Sequence, residues 1–195
     1  VRLILGRPGP LLLALNFAVF AAQWGSMMTW IPSFLVEQRS LPVSTAAVLG
    51  GLVVAVNIPG NLHGSWLLHR GVKRRQLIGY THLAMAVLAV GIFSDALPDL
   101  ARYGLALAFS FAAGYLPAGI FASGPVHAPT PSQYGAINGM IIQGSNTGNF
   151  FGPPAVAAVV AAWGAWSGAL WLMLACAGAG IALTFWLAAV EKKLP

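Results

Sequence analysis

Acidic residues are almost missing from this chain: Glu37, Asp95, Asp99 and Glu191 are the four it has in 195 positions. With ten Lys and Arg beside them, charged residues reach only 7% of the sequence, where a soluble domain carries roughly 25%. All fourteen charged side chains fall outside six long apolar stretches or at their very ends. A charge at the centre of a bilayer-spanning helix costs about 2.5–3.5 kcal/mol, so this segregation, with a mean hydropathy of +0.78, marks an integral membrane protein. Cysteine is reduced to Cys176, which excludes an intrachain disulfide and leaves packing as its default role. No G-x-x-x-x-G-K-[ST] loop occurs, so ATP coupling has no support, and there is no H-E-x-x-H spacing for a metal. A G-x-S-x-G elbow is missing too, which argues against a Ser–His intramembrane hydrolase built from Ser123 with His63, His82 or His127. No catalytic residue, metal or cofactor is expected.

What is present is long and apolar. A span needs about 20 mainly apolar residues. That rule predicts six helices, at 10–36, 45–69, 75–95, 101–124, 133–160 and 167–190, in an all-α polytopic bundle. The first and fifth exceed the minimum, and tilts or kinks are expected at Pro32 and at Pro153-Pro154. Arg2, Arg7, Arg70, Lys73, Arg74, Arg75, Lys192 and Lys193 all fall on one side, against Arg39 and Arg102 on the other. The positive-inside rule therefore puts both termini in the cytoplasm. The pI near 10.1 reports this topology and not nucleic-acid binding, because the basic residues sit in short membrane loops. The chain opens on Val1 rather than an initiator methionine, so residues upstream are expected.

A duplication runs through the spans. Gly51–Gly64 aligns without gaps onto Gly139–Gly152 at an offset of 88, putting Gly60-Asn61 on Gly148-Asn149. First and fourth spans echo each other through Leu13/Leu105 and, after one gap, Phe20/Phe111; third and sixth do so through Leu83/Leu172 and Gly91/Gly180. The unit (repeat 1 about 10–95, repeat 2 about 101–190) has three spans, so the second copy enters the membrane inverted. Inverted repeats are a signature of secondary transporters, with a site near midplane at the repeat interface.

Polarity is unevenly shared. The first span carries Asn16, Gln23, Ser26 and Thr29; the second carries Asn57, Asn61 and His63. The fifth carries Asn138, Gln143, Ser145, Asn146, Thr147 and Asn149, whereas the third and sixth are the most lipid-like of their repeats. On the fifth, Gly144, Gly148 and Gly152 fall within an arc of about 80°, a strip for close helix approach, with the amides spread over the opposite side. An amide facing lipid leaves donors and acceptors unpaired, so that side is expected to meet water, solute or polar partners. His63 and His82 lie at similar depth and are candidate protonation sites, as a titrating pair or separately hydrogen-bonded. Trp24 and Tyr115 are placed to stack on a solute ring or simply to fill the bundle.

The loop Gly64-Ser-Trp-Leu-Leu-His69-Arg70-Gly-Val-Lys73-Arg74-Arg75 resembles the G-x-x-x-D-R-x-G-R-R signature of the major facilitator superfamily, in the weaker form of its second half. Arg70, Lys73 and Arg74 fall on the basic positions of a cytoplasmic gating loop; His69 replaces the acid, Val72 the inner glycine and Ser65 the leading one. Gly139–Pro154 is similar to the penultimate span of many bacterial members. The resemblance covers nearly the whole chain. It implies the C-terminal six-helix half of a transporter that moves a small solute by alternating access in a bacterial inner membrane, missing its N-terminal half. It also implies a cavity lined by the first, second, fourth and fifth spans, with Gln23, Trp24, Asn57, Asn61, Tyr115, Gln143 and Asn146 as solute contacts. Its partners are then the lipid bilayer, the solute and the missing half, with no nucleic acid. The alternatives are a self-contained six-helix transporter acting as a homodimer and, further off, the hydrolase.

Overall fold

A computed structural model describes residues 6–128 and 130–193; Val1 and Arg2 lie outside that range. The chain is all-helical among the described residues, with one 3-10 turn at Pro131–Gln133. In chain order the α-helices are α1 Pro8–Arg39, α2 Val43–Ala55, α3 Asn57–His69, α4 Arg74–Ile92, α5 Asp99–Ala113, α6 Tyr115–His127, α7 Tyr134–Trp163 and α8 Gly168–Glu191. They make six spans, because α2–α3 and α5–α6 are each one span with a break inside it. Five of these are long and apolar enough to cross a bilayer by length and composition. The fifth span, α7, has the length at 30 residues, but its run of amides lowers its hydropathy.

The breaks sit where proline chemistry puts them, although not at the prolines the length of the spans suggested. Proline has no N–H to donate, and its ring crowds the carbonyl four residues back. For Pro59 that carbonyl is Ala55, the last residue of α2; for Pro117 it is Ala113, the last residue of α5. Pro32 in α1 and Pro153-Pro154 in α7, where kinks were expected, lie inside helices that run on without interruption. The two breaks also lean on each other. Gly60 packs directly on the Phe111 carbonyl, and Gly114 on the Asn57 carbonyl and the Asn61 amide, so neither position has room for a Cβ.

Packing follows the duplication. The first span packs most extensively on the fifth, and the second on the fourth; the third and sixth pack on each other. The first also meets the sixth, as the fourth meets the third. Exchanging the two repeats maps this pattern onto itself, as an internal two-fold requires. The glycine strip of α7 fits α1 rung for rung: Gly144 lies on Ala14, Gly148 on Ala18 and Gly152 on Ala22, the two helices running parallel. In the other repeat Gly60 lies on Phe111 and Gly64 on Tyr115. The 88-residue register of second and fifth spans is thus preserved, while first and fourth correspond at 93 (Ala18 to Phe111, Ala22 to Tyr115), not at the 91 or 92 that short apolar matches suggest.

The core is apolar around Leu13, Met85, Phe109, Leu116 and Ile141, all fully buried, but α1 threads polar groups through it. Asn16 Nδ2 donates to Thr184 Oγ1 at 3.0 Å and to the Gly180 carbonyl at 3.3 Å, and Asn16 Oδ1 faces His82 Nε2 at 2.8 Å. At the end opposite the basic loop, Arg39 pairs with Asp99 at 2.8 Å. There Arg102 meets Asp95 at 3.3 Å and donates to the Ile92 carbonyl at 2.7 Å.

Candidate functional site

The helix breaks organise the polar groups of the open side. Asn57, the first residue of α3, donates from Nδ2 to the Ser110 carbonyl at 2.9 Å, across the junction of second and fourth spans. Trp24 on α1 donates from Nε1 to Ser110 Oγ at 3.3 Å. Two of the sequence-derived solute contacts therefore converge on one serine of the fourth span. Trp24 continues a ring ladder along α1, stacked on Phe20 at 6.4 Å, with Phe20 stacked on Phe17 at 5.7 Å. Tyr115 is the first residue of α6, directly after the other break; its hydroxyl is 2.7 Å from His63 Nδ1. His63 stacks in turn on Trp66 and Phe111, with centroids 5.4 and 5.9 Å away. Asn61 is half-buried beside Gly114.

Gln143 and Asn146 are exposed on α7, away from its glycine strip, and neither side chain has a hydrogen bond among the described residues. No hydrogen bond joins them to the Ser110 cluster. The wall expected from the seven contacts bears amides, a phenol and an indole ring and no charged group. Groups of this kind hydrogen-bond and stack, and the titratable side chain beside them is His63.

One expectation is corrected, and of the two readings of the histidines the separately hydrogen-bonded one holds. Gln23 does not line this wall: it is fully buried between α1 and α8, where Nε2 donates to the Met173 carbonyl at 3.1 Å. One residue from Trp24 on a helix is a 100° turn, enough to send the two side chains to opposite sides. His63 and His82 form no pair either. His63 is exposed beside Tyr115, whereas His82 is fully buried against Asn16 and Gly180. The Asn16 amide nitrogen is committed to Thr184 and Gly180, so its oxygen accepts from His82 Nε2–H, and Nδ1 has no hydrogen-bond partner among the described residues. As for a hydrolytic arrangement, Ser123 donates to the Gly119 carbonyl of its own helix at 2.8 Å and bonds no histidine.

The basic loop is tied into the bundle by residues far away in sequence. Arg74 donates to the Ala122 carbonyl at 3.3 Å and reaches Glu191 at 3.8 Å, and Glu191 also holds His127 at 3.2 Å. Arg70 lies over the Trp66 ring at 4.8 Å, and the Lys73 backbone N–H caps α4 on Gln76 Oε1 at 3.4 Å. Ser110, Glu191 and His127 are the members the sequence reading missed. Ser110 left one signal, a hydroxyl inside the apolar run from Leu105 to Ala113.

An all-helical bundle of six spans, built as a 3+3 inverted repeat with an uncharged polar wall, is half of a transporter-type membrane fold. The profile of the Major Facilitator Superfamily matches residues 1–143, and the chain belongs to that family. That family is one of membrane transporters and not of intramembrane hydrolases. In three dimensions it is similar to the peptide transporter POT, solved as a point mutant in complex with sulfate, with a TM-score of 0.76 at 17% identity. The superposition covers 94% of this chain but 38% of that one, so the chain spans well under half of its structural relative. Comparison with proteins of curated function finds no match.

Proposed function

We propose that the chain is the C-terminal six-helix half of a secondary active transporter that moves a small solute across a cell membrane by alternating access. The observation that carries this reading is the convergence of Trp24 and Asn57 on Ser110 beside the breaks at Val56 and Gly114. Transporters built from inverted repeats place their sites near midplane where helices are discontinuous. Here Pro59 deprives the carbonyl of the exposed Ala55 of its helical donor, so the break at Val56 offers an acceptor. Asn57, Asn61, Gln143 and Asn146 offer both donors and acceptors, and Trp24 and Tyr115 offer ring faces. Such a wall suits an uncharged solute, or a charged one whose counter-charge and proton-carrying carboxylate come from a second six-helix bundle. The 38% coverage of the peptide transporter supports such a missing half.

In this reading the termini and the basic loop are cytoplasmic, in a bacterial inner membrane. Arg70, Lys73 and Arg74 form the inner gate, with Glu191 supplying the acid that His69 does not. His63, linked to Tyr115, is the protonation candidate that has access to the open side. The test is solute uptake into vesicles containing the complete transporter, screened over neutral and anionic solutes. A flux that is lost in Asn57→Leu and falls about fivefold in Trp24→Phe at unchanged membrane yield supports the proposal; a flux untouched by either removes the wall from transport.

A further inference from the structure

We infer a second binding site, for an anionic phospholipid, in the groove between α4 and α8. The groove has a volume of about 500 Å³ and lies between the third and sixth spans, the two least polar of their repeats. Its walls are Tyr80 and Leu83 on α4 and Ile181 and Phe185 on α8; Tyr80, Leu83 and Phe185 are 64%, 51% and 74% exposed. Its mouth carries Arg75 and Lys192. Glu191, next to Lys192 in sequence, is occupied by Arg74 and His127, and neither Arg75 nor Lys192 has an ion pair among the described residues. The groove is therefore cationic at one end and apolar below it.

The dimensions fit a lipid in one leaflet. The two helices run antiparallel, since Arg75 opens α4 and Lys192 follows the end of α8, and both are at the basic end of the bundle. From Arg75 down to Leu83 is about 12 Å of helix, and from Lys192 back to Ile181 about 16 Å, at roughly 1.5 Å per residue. Half of a hydrocarbon core is about 15 Å deep. A headgroup phosphate between Arg75 and Lys192 thus puts one acyl chain along Tyr80, Leu83, Ile181 and Phe185. Basic pockets between transmembrane helices select anionic lipid through their cations, while the apolar walls discriminate a lipid from free phosphate. A solute does not suit this groove, because the polar wall of the bundle is elsewhere.

The test is native mass spectrometry of the complete transporter in detergent, with phosphatidylglycerol or phosphatidylcholine of the same chain length added. Phosphatidylglycerol should be retained in preference, and Arg75→Gln with Lys192→Gln should cut its affinity by about thirtyfold, toward the level of phosphatidylcholine. The conservative exchange Arg75→Lys with Lys192→Arg should keep it. Removing two other cations of the same end, Arg7→Gln with Lys193→Gln, should leave it unchanged. Equal retention of the two lipids, or equal loss in both neutralised pairs, overturns the site. So does displacement of the lipid by inorganic phosphate alone. A dimer that dissociates on Phe185→Ala would assign the groove to a second copy of the chain and overturn it as well.

Discussion

Asn57 reaches across a helix junction to the backbone of Ser110, Nδ2 to carbonyl at 2.9 Å, and the hydroxyl of that same serine holds Trp24. The two bonds respond differently to one substitution. Ser110→Ala keeps the carbonyl and so keeps Asn57, but it strips Trp24 Nε1 of its partner. A buried hydrogen bond is worth about 1 kcal/mol net, so uptake at low solute concentration should fall about fivefold in Ser110→Ala and equally in Trp24→Phe. Combined, the two changes should cost little more than either alone, because both remove one interaction. Initial-rate uptake in the three variants checks this; additive losses would mean that the residues act independently.

Gln143→Leu and Asn146→Leu should abolish flux while the protein still inserts, since both side chains are exposed and unpaired among the described residues. Gln23→Leu should do the reverse. It removes the donor to the Met173 carbonyl inside the bundle, so it should lower the melting temperature in detergent with a smaller effect on solute KM. Thermal melts alongside uptake kinetics separate the two classes. Normal transport by both α7 variants would take that helix out of the proposed site.

The positions of the spans were legible because hydropathy and charge segregate along the chain, and each predicted span matches an observed one to within a few residues. The register of second on fifth span was legible for another reason. Gly60, Gly64, Gly148 and Gly152 are spaced by the backbones they must admit, so the pattern is written in residues with no side chain to vary. Other features were not local enough to read. Pro59 and Pro117 break their helices while Pro32 does not, although Pro32 too lies against a glycine of another span, Gly50. Trp24 and Gln23 are adjacent in sequence, and only the position of α8 decides which one faces the open side. Glu191 meets Arg74 from the other end of the chain, a pairing that neither residue's surroundings announce.

The Asn16–His82 bond predicts a destabilisation that a second mutation relieves. Asn16→Leu leaves His82 Nε2–H and Thr184 Oγ1 facing an apolar side chain in a fully buried place, at a cost of about 1–3 kcal/mol. His82→Leu alone leaves only the Asn16 oxygen bare. The double variant removes donor and acceptor together and should melt above Asn16→Leu, as buried polar pairs do when both members are replaced. A melt of the double variant below that of both single variants would show that the bond is not what holds α1, α4 and α8 together.

Gly148 and Gly139 lie on the same helix and predict opposite outcomes. A side chain at Gly148 runs into the backbone of α1 at Ala18, which cannot move without α1 itself, whereas nothing lies within 4 Å of a Cβ at Gly139. Gly148→Leu should therefore collapse the yield of monodisperse protein in size-exclusion chromatography, and Gly139→Leu should leave it near wild type. Gly60→Leu should behave like Gly148→Leu, because Phe111 of the fourth span occupies the equivalent place across the internal two-fold. The paired failure is the discriminating result. If Gly60→Leu were tolerated while Gly148→Leu was not, the two repeats would not share one packing solution.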